Sequence, residues 1–130
     1  MFKRATGEHK HTKALGDAAE AQALAWLQQQ GLALVQRNYR VARGPAARGG
    51  EVDLILRDRD GTLVFVEVRS RSGAGHGGAA ASVSAAKRRS IVLAARFYLQ
   101  GLPSVPPCRF DVVAIDAGQV EWLKAAFDAG

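Results

Sequence analysis

The stretch GGEVDLILRDRDGTLVFVEVRSR, residues 49–71, reads as two β-strands around a short turn, yet it carries Asp53 in the first strand and Glu67 in the second. Two carboxylates at that spacing suit metal-assisted or acid–base chemistry if the strands bring them together. The turn decides whether they do. Arg59-Asp60-Gly61 reads as a three-residue hairpin loop with Gly61 in the left-handed position of a type I turn with a bulge. Residue 58 then pairs with 62, every pair sums to 120, and Asp53 falls opposite Glu67. Side-chain alternation groups 53, 55 and 57 with 63, 65, 67 and 69 on one face. Val52, Leu54, Leu56, Val64, Val66 and Val68 make an apolar surface on the other.

Opposed residues in such a pair have Cβ atoms about 4.5–5.5 Å apart. Two ionised carboxylates at about 5 Å repel by about 3 kcal/mol at an effective dielectric of about 20, a large part of a small domain's net stability. A shared proton, a basic neighbour or a divalent cation would offset this. Mg²⁺ prefers oxygen ligands and typically takes one or two protein carboxylates while keeping several waters. Arg69 stands on the same face, two residues beyond Glu67. The plainer alternative is that Asp53 and Glu67 are strand-end residues in salt bridges with Arg57, Arg69 or Arg71. The loose pattern of Asp, thirteen residues and Glu-x-Arg does not choose between these readings.

The elements that must position these residues are legible along the chain. Residues 1–11 read as a flexible basic lead-in. Helical spacing of Leu15, Ala19, Leu24 and Leu27 then predicts a helix over 12–30, stopped by Gly31. ALVQRNYRV (33–41) reads as a strand, and the glycine-rich stretches 42–50 and 72–81 as loops. Strands are expected at 52–58 and 62–71, a second helix from a Ser82 or Ser84 cap to Gln100, and a strand at 108–116. Residues 120–127 read equally as a short strand or a helical turn. The order is α-β-β-β-α-β with a small final element: an α/β domain whose mixed β-sheet is flanked by helices.

The chain has 130 residues, enough for one domain, 1–130, with a real core. Its 18 basic and 12 acidic residues give a net charge of +6, which favours a polyanionic partner. Nucleic acid is the first candidate; no basic helix with a large apolar face points to a membrane. The single cysteine, Cys108, excludes an internal disulfide and a cysteine-paired zinc site. No apolar run approaches the ~20 residues of a membrane span, and the basic N-terminus does not read as a secretory signal. The cytoplasm is the expected location.

Several segments together resemble the YraN-like family of small bacterial proteins. They are LGDAAEAQALAWL (15–27), GLALVQRNYR (31–40), GEVDLI (50–55), LVFVEVRSR (63–71), GGAAASVSAAKRR (77–89) and RFDVVAI (109–115). That family is similar to the PD-(D/E)xK nucleases and, within them, to archaeal Holliday-junction resolvases. The resemblance implies a restriction-endonuclease-like core and Mg²⁺- or Mn²⁺-dependent cleavage of DNA, including branched DNA. It implies metal ligation by Glu20, Asp53 and Glu67, with a main-chain carbonyl at Val68. A homodimer is expected on the same ground, since a junction has two sites to cut. Arg69 stands where the motif has lysine. Arginine stays charged and is a poor general base, although it can stabilise a phosphate. Lys87, early in the second helix, is a second source of an ammonium. The catalytic set is therefore Asp53, Glu67, Arg69 and Lys87.

Arg37, Arg40, Arg71, Lys87, Arg88 and Arg89 are candidate nucleic-acid contacts, and Arg37–Arg40 also reads as cover for a strand edge. Lys87–Arg89 crowd the first turns of a helix, where the macrodipole disfavours cations, which points to an anionic partner. Glu51 shares the face of Asp53 but reads better as a solvated strand-start residue. Asp111 reads as half of a structural ion pair, and Trp26, Phe97 and Tyr98 as core. The expected alternatives to a nuclease are a nucleic-acid-binding protein with a degenerate site and a structural adaptor.

Overall fold

The computed structural model describes residues 2–42, 49–71 and 83–129, with side chains for 16–42, 49–70 and 83–129. Helix α1 (Phe2–Gln29) leads into strand β1 (Ala33–Val41), and β2 (Gly50–Arg57) and β3 (Leu63–Arg71) follow. Helix α2 (Ala85–Gln100) carries the chain to β4 (Cys108–Asp116), and β5 (Gln119–Phe127) ends it. The five strands form one sheet in chain order, parallel only between β3 and β4. This is the mixed α/β sheet of a restriction-endonuclease-like core, with α1 and α2 on opposite faces.

Local chemistry sets the joints. Gly31, at φ 102°, closes α1: its N–H donates to Gln28 O at 3.0 Å, and the Leu32 N–H donates to Leu27 O at 3.1 Å. This paired bonding satisfies the last helix carbonyls and turns the buried Leu32 back onto Leu27. Gly61, at φ 91°, supplies the left-handed residue of the β2–β3 turn, and the Asp58 N–H donates to Thr62 O at 2.9 Å. The pairs from Leu54↔Val66 to Arg57↔Leu63 therefore keep the expected register. Ser84 caps α2, its Oγ accepting from the Lys87 N–H at 3.1 Å.

The two faces are closed by separate clusters. Leu54, Leu56, Val64 and Val66 pack with Val113 and Ile115 under Ala19, Ala23 and Leu27 of α1. Ile55, Leu63, Phe65, Phe110 and Val112 pack under Ile91, Val92, Ala94 and Ala95 of α2. Gly50 lets α2 lie close on β2, since a Cβ there would meet Ser90 O at 2.6 Å and Ala94 N at 2.7 Å.

Four expectations change. Helix α1 starts at Phe2 and takes in residues 2–11, which read as a lead-in. The final element is a full strand, β5, because Ala117 and Gly118 both adopt positive φ and form a two-residue hairpin with Asp116 opposite Gln119. Val52 joins the α2 cluster instead of the surface shared by Leu54 and Leu56. Phe97 is exposed instead of core. The loops read at 42–50 and 72–81 lie outside the described residues, apart from 42, 49 and 50.

Candidate active site

Past Leu54↔Val66 the pairing of β2 with β3 ends, while β3 continues to pair with β4 as far as Arg71↔Asp116. The strands splay, and Asp53 occupies the fork. Its Oδ2 accepts a hydrogen bond from the Val68 main-chain N–H at 2.8 Å. A carboxylate thus takes the place of the next ladder acceptor. Glu67, one residue earlier on β3, is buried to 3% exposure and lies beside Asp53. Burial first, then the Asp53 charge, pushes the Glu67 carboxyl up to about 8, against the opposing pull of Lys87 and Arg69. A proton on Glu67 therefore relieves the repulsion between the two carboxyls at neutral pH.

Three elements approach this pair. From β3 itself, Arg69 Nη1 lies 3.4 Å from Glu67 Oε2. From α2, Lys87 Nζ lies 4.0 Å from Glu67 Oε1 and 3.2 Å from Glu51 Oε1. The Ser84 cap places Lys87 in the first turn, and the close packing at Gly50 brings that turn to β2. From α1, Glu20 stands at the margin of the buried Ala19–Ala23–Leu27 stripe. Burial, followed by the Asp53 charge, raises its carboxyl above the usual range, opposed by Arg37 and by a hydrogen bond from Asn38.

Asn38 is a residue beside the candidate site that sequence reasoning did not single out; it read only as one of four strand-edge or phosphate-contact residues. Within β1, between the pairs Arg37↔Leu54 and Tyr39↔Val52, it adopts φ 52°. The register sets it against Asp53. Asparagine is among the few side chains that tolerate this region, which was the only signal in the sequence.

The remaining candidates separate. Glu51 is shared by Arg40 at 3.4 Å and Lys87 at 3.2 Å, beside the site. Arg37 faces solvent near Glu20. Arg88 donates from Nε to Val83 O at 3.2 Å and covers the Phe127 ring, away from the carboxylates. Arg89 is exposed on α2, and the side chain of Arg71 lies outside the described residues. Asp111 is structural: Arg109 Nε, Trp122 Nε1 and the Ala125 N–H all donate to it within 3.1 Å.

Residues 19–115 match the family described as "Uncharacterised protein family UPF0102". The chain belongs to that family. A UPF0102 protein of Methylibium petroleiphilum is 65% identical over 118 residues, covering 91% of this chain and 97% of its own. One of Paracidovorax citrulli is 64% identical over 119 residues, covering 92% and 86%. The YraN-like resemblance thus stands as family membership, and the matched span runs from the α1 face bearing Glu20 through β4.

Among the described residues, no three His, Cys, Asp or Glu side chains are placed as one metal-binding group. Asp53 and Glu67 come together, and Glu20 does not join them as a third ligand in this arrangement. The pair alone still suits a hard cation, which typically takes one or two protein carboxylates. Glu67 Oε1 is buried without a hydrogen-bond partner, as is Glu20 Oε1. Buried acceptors left open in this way are unusual and call for an ion or water. No helix is long and apolar enough to cross a membrane among these residues.

Proposed function

We propose that this protein is a metal-dependent nuclease that cleaves phosphodiester bonds in DNA, branched DNA included. The observation that carries the reading is the contact of Asp53 and Glu67 in the β2–β3 fork, with a buried open oxygen on Glu67 and Lys87 4.0 Å from it. Asp53 and Glu67 would hold Mg²⁺ or Mn²⁺, with Glu20 moving in from α1. Such an ion supplies a bound water of lowered pKa and neutralises charge on a phosphate. The chain's own part is to fix the carboxylates. The Val68 N–H orients Asp53, and packing under α2 holds Glu67. Lys87 brings an ammonium to the place left open by arginine at 69, and Arg69 offers a fork of donors for a phosphate oxygen.

A second reading, a nucleic-acid-binding protein of the same fold with a disabled site, is favoured by Arg69 in place of the motif lysine. One experiment separates the two. Duplex, single-stranded and four-way-junction DNA are incubated with the protein in Mg²⁺, Mn²⁺ or EDTA, with Asp53→Asn alongside. The nuclease reading expects divalent-dependent products that vanish in EDTA and in the variant. Salt-sensitive binding without products in any metal would leave the second reading standing.

A further inference from the structure

Away from the carboxylate pair, α2 and the end of β5 enclose a groove of about 670 Å³. Val92, Leu93 and Phe127 give it an apolar lining, and Arg88, Arg89 and Arg96 give it positive charge against one carboxylate, Asp128. Arg89 and Arg96 are exposed and make no hydrogen bond or ion pair among the described residues. They are seven residues apart, about 10 Å along the helix axis, far enough to meet separate phosphates. Arg88 is already set in place by Val83 O and the face of Phe127.

The groove also leads somewhere. Arg89 and Leu93 line a second hollow together with Gly49 and Ser90. Gly49 and Ser90 in turn line a third that opens on Arg40 and Glu51. Glu51 binds Lys87, which reaches Glu67. Hollows that share lining residues thus lie between the arginines and Glu51, at the margin of the candidate site.

We infer that this groove receives single-stranded nucleic acid, so that the substrate of the neighbouring site carries an unpaired arm; the inference rests on the nuclease reading for what the site does with it. Charge alone would suit any polyanion. The apolar lining discriminates. A duplex presents phosphates and hides its base faces, so the exposed parts of Val92 and Leu93 gain nothing from it. A single strand offers both phosphates for the arginines and base faces for the lining. Placing Arg88 and Arg89 in the first turns of α2, against the helix dipole, is a local conflict that bound phosphates remove.

The test is fluorescence anisotropy of labelled oligothymidylate and of a blunt duplex of equal length, across a salt series in EDTA. Wild type is compared with the double variant Arg89→Ala/Arg96→Ala, whose circular dichroism and melting confirm the fold. Single-strand affinity should fall by about tenfold or more, and the log–log salt slope should lose about 1.4, from two contacts at about 0.7 each. Duplex affinity should change far less. An equal loss on both forms, or no loss on the single strand, overturns the inference. So does a polyglutamate peptide that competes as well as oligothymidylate on wild type, which would assign the groove to an acidic protein segment. Because the chelated assay reads binding alone, a failure to cleave DNA leaves this result standing, and unchanged affinity sinks the groove even for an active nuclease.

Discussion

The Val68 main-chain N–H donates to Asp53 Oδ2 at 2.8 Å, Asp53 lying one residue beyond the last paired position of β2 and Val68 two beyond that of β3. That bond makes the carboxylate part of the sheet. It also turns an open strand fork into a fixed corner in which Glu67 meets Asp53.

Substitutions at Asp53 should therefore split by shape. Asn keeps an acceptor for Val68, and Glu67 already holds a proton at neutral pH, so Asp53→Asn should shift metal-free stability by no more than about 1 kcal/mol. Asp53→Ala leaves the Val68 N–H without its partner and should cost about 1–3 kcal/mol. Both should abolish divalent-dependent cleavage. Urea melts in EDTA at pH 7 check the first point. An alanine variant as stable as wild type would mean that the bond does not hold the corner.

Glu67 makes a prediction about pH. Its carboxyl is raised from 4.5 to about 8 in the folded chain, so the folded state binds this proton more tightly. The stability it confers is full below about pH 4.5 and is lost as pH rises through about 8. At about 1.4 kcal/mol per unit, the loss amounts to at most a few kcal/mol. In EDTA, Glu67→Gln should flatten this decline between pH 5 and 8.5 and be the more stable protein at the upper end. Parallel stability curves for the two proteins would contradict it.

Lys87 and Arg69 flank the same carboxyl but should not be equivalent. Lys87→Met removes the ammonium that faces both Glu51 and Glu67 and should reduce kcat by about 100-fold or more. Arg69→Ala should act mainly on KM, since an arginine at this edge binds phosphate without adjusting a proton. Steady-state kinetics on a cleavable DNA, with melting curves for both variants, give the comparison. A larger kcat loss at Arg69 would reverse the assignment.

Asn38 should reveal itself by a mismatch between stability and activity. Its φ of 52° is easier for glycine than for alanine. Asn38→Gly should hold the melting temperature near wild type, and Asn38→Ala should lower stability by about 1–2 kcal/mol. Both lose the amide beside Glu20, so both should weaken Mn²⁺ binding measured by calorimetry. Retained Mn²⁺ affinity in the glycine variant would show that Glu20 needs no anchor.

Much of this frame is local, and local frame is what a sequence expresses. Gly31 and Gly61 each require positive φ, so the end of α1 and the β2–β3 turn follow from one residue apiece. With the turn set, alternation carries the register as far as Leu54 and Val66, one residue short of Asp53 and Glu67, which are not paired across the strands as the turn alone implied. The Ser84 cap starts α2 for the same kind of reason. Where the signal was weak, the reading stopped: Ala117-Gly118 is an unusual pair for a two-residue hairpin, and β5 went unsettled. Only the tertiary structure decided what surrounds the carboxylates. The fork exists because β3 leaves β2 to stay paired with β4, more than forty residues along the chain. The burial that raises Glu67, the reach of Lys87 from α2 and the approach of Glu20 and Asn38 all depend on how four separate elements pack. A residue's type and spacing name the chemistry it can do. Its charge state and its neighbours are set by contacts between distant segments, which no local pattern encodes.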